Sequence, residues 1–254
     1  MIDLHTHILP GLDDGSRDLA QSVALASELV RQGVTIAACT PHVSGEYPTQ
    51  TTQILQALTD TRAALASAGV DLALVGGAEV ALDRLDGLSD EQIIELTIDA
   101  TGRYLLVETP YSAWPLDIDL HLQRLAKLGI TAILAHPERS AGVQPDSTAL
   151  ERAVDCGALV QLNAGSLTGS FGRSAKTTAM RLMANGTAHL IASDSHNVDR
   201  RPPHLVEAVQ AIGDKRLAQW LTVDVPSAIT RGEDPPDRPS VKRRRASVLS
   251  FFRK

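Results

Sequence analysis

His5 and His7 stand two residues apart in the opening run Met-Ile-Asp-Leu-His-Thr-His. On a strand, residues at that spacing point to the same side, so both imidazoles reach one cation. Alone, the pair is weak evidence, because a histidine in an apolar run is more often a satisfied core residue. Its weight comes from how the other apolar runs end. His42 follows one of them in Cys39-Thr-Pro-His, Glu79 ends a second in Gly76-Gly-Ala-Glu, and Glu108 ends a third in Leu105-Leu-Val-Glu. His136 closes Ile133-Leu-Ala-His, and Asp194 with His196 closes Ile191-Ala-Ser-Asp-Ser-His. The carboxylates are harder than the histidines to explain as structure. A buried carboxylate without a partner is expensive, and several together repel one another. Cations relieve both costs. These donors suffice for two or three divalent ions, and their mix of nitrogen and oxygen suits Mn²⁺, Fe²⁺ or Zn²⁺ better than Ca²⁺.

The elements that must position them alternate regularly. Strands are expected at Ile2–Ile8, Val34–Thr40, Leu72–Glu79, Tyr104–Thr109, Ile130–His136, Ala158–Asn163 and Ala188–Ser193. Between them lie helical patterns at Asp18–Gln32, Thr51–Ala68, Leu116–Leu128, Ser147–Cys156 and Ser174–Asn185, several closed by glycine, and a short helix capped by Ser89. Residues from about Pro203 to Thr230 read as helical again. This alternation predicts a parallel sheet, open or closed. In an open sheet the chemistry gathers at one switch point, whereas in a barrel it collects at strand ends around the ring. Six of the seven expected strand ends carry a histidine or carboxylate, and the sixth strand ends on Asn163. That spread favours a barrel.

Composition narrows the function. Aromatic residues make up 3% of the 254 residues and hydrophobic ones 43%, so the core must be aliphatic, as suits strands covered by helices. A net charge of −6 argues against a general nucleic-acid binder. Two cysteines far apart form no disulfide framework, which makes a reducing cytoplasm the default. Neither Cys39 nor Cys156 is followed by an arginine at the distance a cysteine phosphatase needs, so both read as small apolar residues. A phosphate loop and a serine nucleophile elbow are absent from the sequence as well. No basic segment followed by an apolar run opens the chain, and no run is long enough to span a bilayer.

Together, His-Thr-His, Thr-Pro-His, Gly-Ala-Glu, the Glu108 strand, Ala-His-Pro-Glu-Arg and Ala-Ser-Asp-Ser-His resemble the PHP (polymerase and histidinol phosphatase) superfamily. Two further segments, Ile8-Leu-Pro-Gly-Leu-Asp-Asp-Gly15 and Ser195-His-Asn-Val-Asp-Arg-Arg-Pro-Pro203, resemble its bacterial capsule- and exopolysaccharide-associated protein-tyrosine phosphatases. The resemblance runs from residue 1 to about 230. It implies a distorted seven-stranded (β/α) TIM-like barrel with a site of three metal ions, usually Mn²⁺, that hydrolyses phosphotyrosine with a metal-activated hydroxide. The implied partner is a bacterial tyrosine autokinase of polysaccharide export. Carried onto this chain, the implied ligands are His5, His7, Glu79 and Asp194 for one ion, Glu79, Glu108 and His136 for another, and His42 with His196 for the third. Arg139 and Arg201 match the arginines that hold substrate phosphate. Arg200 makes a double arginine here and is an alternative to Arg201. Ser140 stands where an aromatic residue often follows the first arginine, which leaves the residue that meets the tyrosine ring unassigned. Asp14 is a candidate to protonate the leaving phenolate or orient the water, although Asp13 and Asp14 before Gly15 equally suit a turn.

Two rival readings share the metals. One is a PHP phosphatase of a small phosphomonoester such as histidinol phosphate. The other is a non-catalytic metal-binding regulator of a kinase. Beyond the domain at 1–230, Arg231–Ser240 reads as a proline-rich linker, and Val241–Lys254 carries six basic residues and no acidic one. The tail is expected to be solvated and disordered, or to contact an acidic partner or the inner membrane surface through its basic residues with Phe251 and Phe252.

Overall fold

The structure is a computed structural model that describes residues 1–240. Nine strands appear: β1 (Ile2–Thr6), β2 (Ile36–Cys39), β3 (His42–Val43), β4 (Ala73–Gly76), β5 (Glu79–Ala81), β6 (Tyr104–Glu108), β7 (Thr131–Ala135), β8 (Leu159–Asn163) and β9 (Leu190–Ala192). They form two sheets, β1-β2-β4 and β3-β5-β6-β7-β8-β9, and every pairing in both is parallel.

The expectation of seven strands closing a barrel is therefore corrected. Among the described residues no continuous ladder joins the two sheets into a ring. The chain holds seven strand positions, but the second and third each break in two. The breaks lie side by side, since Cys39 pairs with Gly76 below them and His42 with Glu79 above. Pro41 interrupts one strand, because it has no N–H to donate to a ladder. Gly77 interrupts the other, where an added Cβ would come within 3.0 Å of Ile98 Cδ1. These two strand positions thus start in the first sheet and end in the second.

At the other seam, β1 and β9 meet through a few bonds rather than a ladder. Asp194 N–H donates to the His5 carbonyl at 2.8 Å and His7 N–H to the Ser195 carbonyl at 2.9 Å. Deeper down, the Asp3 carboxylate accepts from Ser193 N–H at 2.9 Å, doing with a side chain what a strand would do with its backbone. These bonds tie the His5–His7 strand end to the Asp194–His196 turn.

Among the described residues, ten helices cover the sheets: α1 (Leu19–Arg31), α2 (Thr51–Ala68), α3 (Asp90–Glu95), α4 (Ile118–Lys127), α5 (Thr148–Asp155), α6 (Ala164–Thr168), α7 (Gly172–Asn185), α8 (Leu205–Ile212), α9 (Lys215–Gln219) and α10 (Val225–Thr230). The Asp18 side chain caps α1 by accepting from Gln21 N–H. The helix buries Leu25, Ala26 and Leu29. Fully burying a leucine is worth about 1.5–3 kcal/mol, so faces like this one hold the scaffold. The expected helix over 203–230 is interrupted instead, with Gly213 at φ +69° ending α8. No helix of the described residues is long and apolar enough to cross a membrane.

Residues 231–240, read from their prolines as a linker, lie against the domain. Tyr104 Oη donates to the Glu233 carbonyl at 2.8 Å and Trp220 Nε1 to that of Pro236 at 2.9 Å. Arg238 donates to the carbonyls of Ala188 and Met183 at 2.8 and 2.7 Å. The readings made for the basic tail from Val241 fall outside the described residues.

Candidate metal centre

All the singled-out donors converge on one place at the carboxyl ends of the strands. His5 and His7 bring their Nε2 atoms to 3.1 Å from each other. On the far side of each ring, Nδ1 of His7 lies 2.7 Å from Asp13 Oδ2 and Nδ1 of His5 lies 3.0 Å from Gln161 Oε1. An Nδ1–H that donates to oxygen leaves Nε2 as a bare lone pair in the neutral ring. Two bare lone pairs facing each other repel, and a shared cation removes the repulsion. Glu79 sits between four imidazoles. Its Oε2 is 2.9 Å from His42 Nδ1, 3.2 Å from His5 Nε2 and 3.4 Å from His7 Nε2, and its Oε1 is 3.0 Å from His136 Nε2. Glu79 is fully buried, yet its Oε2 has no hydrogen bond of acceptable geometry. This orphaned oxygen and the facing nitrogens fit divalent cations.

Four donor groups meet the geometry for an ion: His5, His7 and Asp194; His5, Glu79 and His136; His42, Glu79 and Glu108; and His7, Asp14, His42 and His196. They share residues, so they form one contiguous cluster. Compared with the partition implied by resemblance, the third group gains His7 and Asp14, and Glu108 is grouped with His42 as well as lying 3.8 Å from His136. His5, His7 and Glu79 have no exposed side-chain surface, whereas His42 and Glu108 keep 15% each. The cluster therefore opens to solvent on the side of His42, Glu108 and Asp14.

Electrostatics agree with the donor set. Burial works against charge on Glu79 and Asp194, yet the surrounding histidines hold both carboxyls well below the usual range. Burial likewise opposes charge on His5 and His7, but Glu79 and Asp194 raise the first and Asp13 the second. His196 goes the other way and is pulled down to about 4 by burial and by the charge on His7. The buried carboxylates thus need positive charge nearby, from protons or from metal.

Asp194 joins the cluster to the arginines. Its Oδ1 lies 3.4 Å from His7 Nε2, while its Oδ2 accepts from Arg201 Nη2 at 2.7 Å, Asn163 Nδ2 at 2.8 Å and Arg139 Nη1 at 3.0 Å. Asp194 and His136 hold φ of +52° and +33°, a region L side chains avoid, at the very strand ends that present donors. Arg201 also touches His196 Nε2 at 2.7 Å. Arg200 is exposed, its backbone N–H bonded to Asn197 Oδ1, and it lines both a groove of about 380 Å³ beside Asp14 and a smaller cavity beside Asp194 and Arg201. Of the two arginines, Arg201 is the one whose guanidinium contacts Asp194 and His196.

Three kinds of supporting residue were given no role from the sequence. Asp13, read as a turn residue, accepts from His7 Nδ1, His42 N–H at 2.9 Å and Gly15 N–H at 2.9 Å. Gly15 lets that loop fold onto His7, since a Cβ there would lie 2.2 Å from the His7 carbonyl. Gln161 and Asn163 stand two apart on β8 and face the site together, a period-two signal present in the sequence. Tyr111 and Phe171, which cover Arg139, come from irregular segments that carry no such signal.

Asp13→Ala is expected to weaken Mn²⁺ binding by roughly 10–100-fold, the usual cost of losing a group that orients a ligand. Calorimetric titration of the cation-free protein checks it, and unchanged affinity would remove Asp13 from the site.

Known proteins match this molecule along its length. The family model for capsular polysaccharide synthesis, CpsB/CapC, covers residues 1–227. The chain is 32% identical to the tyrosine-protein phosphatase YwqE of Bacillus subtilis, over 99% of this chain and 100% of that one. It is 31% identical to the tyrosine-protein phosphatase CpsB of Streptococcus pneumoniae, over 90% and 98%. A solved chain from the crystal structures of these two, described as unique metal-dependent tyrosine phosphatases, superposes with a TM-score of 0.84 at 28% identity, covering 96% of this chain and 100% of that chain. The organophosphorus hydrolase of Deinococcus radiodurans shares the fold at a TM-score of 0.55 and 14% identity, over 90% and 91%. A match over 99% of the chain reaches into the basic tail, which was expected to lie outside the resemblance.

Proposed function

The chain belongs to the CpsB/CapC family of capsular polysaccharide synthesis, and on that premise we propose that it is a metal-dependent protein-tyrosine phosphatase. One observation carries the reading: a buried cluster of facing imidazole nitrogens around Glu79, edged by two arginines that share one carboxylate oxygen. The two parallel sheets, arranged as in TIM-barrel-like hydrolases without a continuous ladder around a ring, put every donor at the carboxyl ends of the strands.

His5, His7, His42, Glu79, Glu108, His136, Asp194 and His196 would hold three ions, with Mn²⁺ the foremost candidate and Fe²⁺ or Zn²⁺ as alternatives. When bound, divalent cations lower the pKa of water and offset phosphate charge. The chain's own groups do the rest. Arg139 and Arg201 point donors at the edge of the cluster where Asp194 Oδ2 lies, so an incoming phosphate meets two guanidiniums already in place. A phenolate with a pKa of about 10 leaves without a strong acid. Asp14 is the candidate to protonate it or to orient the water. Its carboxyl is held below the usual range, first by the hydrogen bond from His196. It lies 3.2 Å from His196 Nε2 and 3.5 Å from His42 Nε2, which supports a role in holding a cation or orienting water. Cys39 is fully buried and its thiol is pushed far up by burial, which leaves it no part in the chemistry.

The substrate proposed is a phosphotyrosyl protein, with a bacterial tyrosine kinase of capsule or exopolysaccharide synthesis as partner, acted on in the cytoplasm near the inner membrane face. Assay of a phosphotyrosyl peptide, free phosphotyrosine and histidinol phosphate side by side with Mn²⁺ tests this. The peptide is expected to be the best substrate. Much faster turnover of histidinol phosphate favours the small-molecule rival, and no phosphate release from any of them favours the non-catalytic one.

A further inference from the structure

The guanidinium of Arg139 packs against two rings, Phe171 at 4.1 Å and Tyr111 at 4.8 Å from Cζ to ring centroid. Tyr111 also lies parallel to the imidazole of His136, with 4° between planes and 5.5 Å between centroids. One ring therefore touches both a cation-ligand candidate and a phosphate arginine. It stands on the loop between β6 and α4, three residues after Glu108, and its backbone is pinned where Ala141 N–H donates to the Tyr111 carbonyl at 2.7 Å. Despite these neighbours, Tyr111 remains 43% exposed.

We propose that Tyr111 is the residue that recognises the aryl group, receiving the phenyl ring of phosphotyrosine on its exposed part while Arg139 holds the phosphate. This rests on the phosphatase reading and deepens it. The ester oxygen joins phosphate and ring directly, so a phosphate placed against Arg139 carries its ring into the space beside Tyr111. Aromatic pairs favour offset or edge-to-face arrangements with centroids roughly 4.5–7 Å apart, and the exposed part of Tyr111 is where such a contact would form. The fixed backbone keeps the platform in place before substrate arrives, which lowers the ordering cost of binding. Ser140, which follows Arg139, supplies no ring. A second tyrosine, Tyr47, stacks on His42 at 5.7 Å. It lacks the contact with Arg139 and so serves as the control.

The test uses the Mn²⁺-loaded full-length protein and the variants Tyr111→Phe, Tyr111→Leu and Tyr47→Leu. Calorimetry gives the affinities for phenylphosphonate and methylphosphonate, and kcat/KM is measured on a phosphotyrosyl peptide. Tyr111→Leu is expected to weaken phenylphosphonate about tenfold, in line with losing an aromatic contact and part of its buried area, with methylphosphonate within twofold of wild type. The kcat/KM of that variant falls to the same extent, mainly through KM, and Tyr111→Phe retains wild-type values. Equal weakening of both phosphonates means that Tyr111 only props Arg139, which overturns the proposal. Selective loss of phenylphosphonate in Tyr47→Leu instead overturns it too. A wild-type protein that binds phenylphosphonate but hydrolyses no aryl phosphate contradicts the phosphatase reading rather than the ring assignment.

Discussion

Dialysis against EDTA is expected to abolish aryl-phosphate hydrolysis and to lower the melting temperature, and added Mn²⁺ to restore both. The facing Nε2 atoms of His5 and His7 and the orphaned Oε2 of Glu79 are satisfied together by a cation. An ion that binds only the folded state at 100 times its Kd adds about 2.7 kcal/mol per site. For a domain of this size each kcal/mol moves the melting temperature by about 2–4 °C, so even one ion shifts it by roughly 5–10 °C. The sign with pH follows from the imidazoles. In the cation-free protein the carboxylates around His5, His7 and His42 raise these histidines above their ordinary value, against the effect of burial. The stability they contribute is fully present below the unfolded pKa of about 6.5 and is lost as pH rises through the raised values. His196 at about 4 and Asp3 at about 6 have largely finished titrating below that window. Cation binding has the opposite dependence, because the ligating imidazoles must be neutral. The gap in melting temperature between loaded and chelated protein therefore widens from pH 6.5 to 8.5. Full activity in protein shown by elemental analysis to be free of metal would sink the whole scheme.

The donors were legible in sequence because each ends an apolar strand, and a strand end in an α/β fold has a known address. Glu79 and Glu108 stood out for their cost as buried charges; the structure displays that cost at Glu79, which is fully buried, while Glu108 keeps 15% of its side chain exposed. The supporting contacts were less legible, since they join residues distant in sequence. Asp13 reaches His42 across 29 positions through a backbone N–H, a bond with no pattern in side-chain type. Tyr111 and Phe171 meet over Arg139 from two irregular segments, so no periodicity marks either. The splitting of the second and third strand positions had a visible cause in Pro41 and Gly77, but their alignment depends on register, which pairs Cys39 with Gly76. The packing of residues 231–240 was hidden by composition. Prolines signal a linker, yet what places this segment is Arg238 donating to the carbonyls of Met183, near the end of α7, and Ala188, just before β9.

Glu79→Gln is expected to lower kcat/KM on a phosphotyrosyl peptide by about a thousandfold or more, about 4 kcal/mol of transition-state stabilisation. Glutamine keeps the shape of glutamate and removes one charge. That charge sits at the middle of the cluster, within 3.4 Å of ring nitrogens from His5, His7, His42 and His136. Glu79 also belongs to two of the four donor groups. Its loss thus disturbs more than one ion, and bound metal should fall by more than one equivalent. Glu108→Gln is the comparison. Glu108 keeps 15% of its side chain exposed, and its nearest ring nitrogens lie 3.8 and 3.9 Å away. Water there can replace a lost ligand, so the smaller effect belongs to Glu108. Folding of Glu79→Gln is not at risk from volume. The imidazoles that lose their counter-charge need only release a proton, which limits the penalty of breaking a buried pair. Far-ultraviolet circular dichroism should match wild type while metal content and turnover collapse. If Glu79→Gln keeps its full metal complement with kcat/KM within tenfold of wild type, Glu79 is not the hub of the centre, and the outer groups with His196 and Asp14 become the place to look.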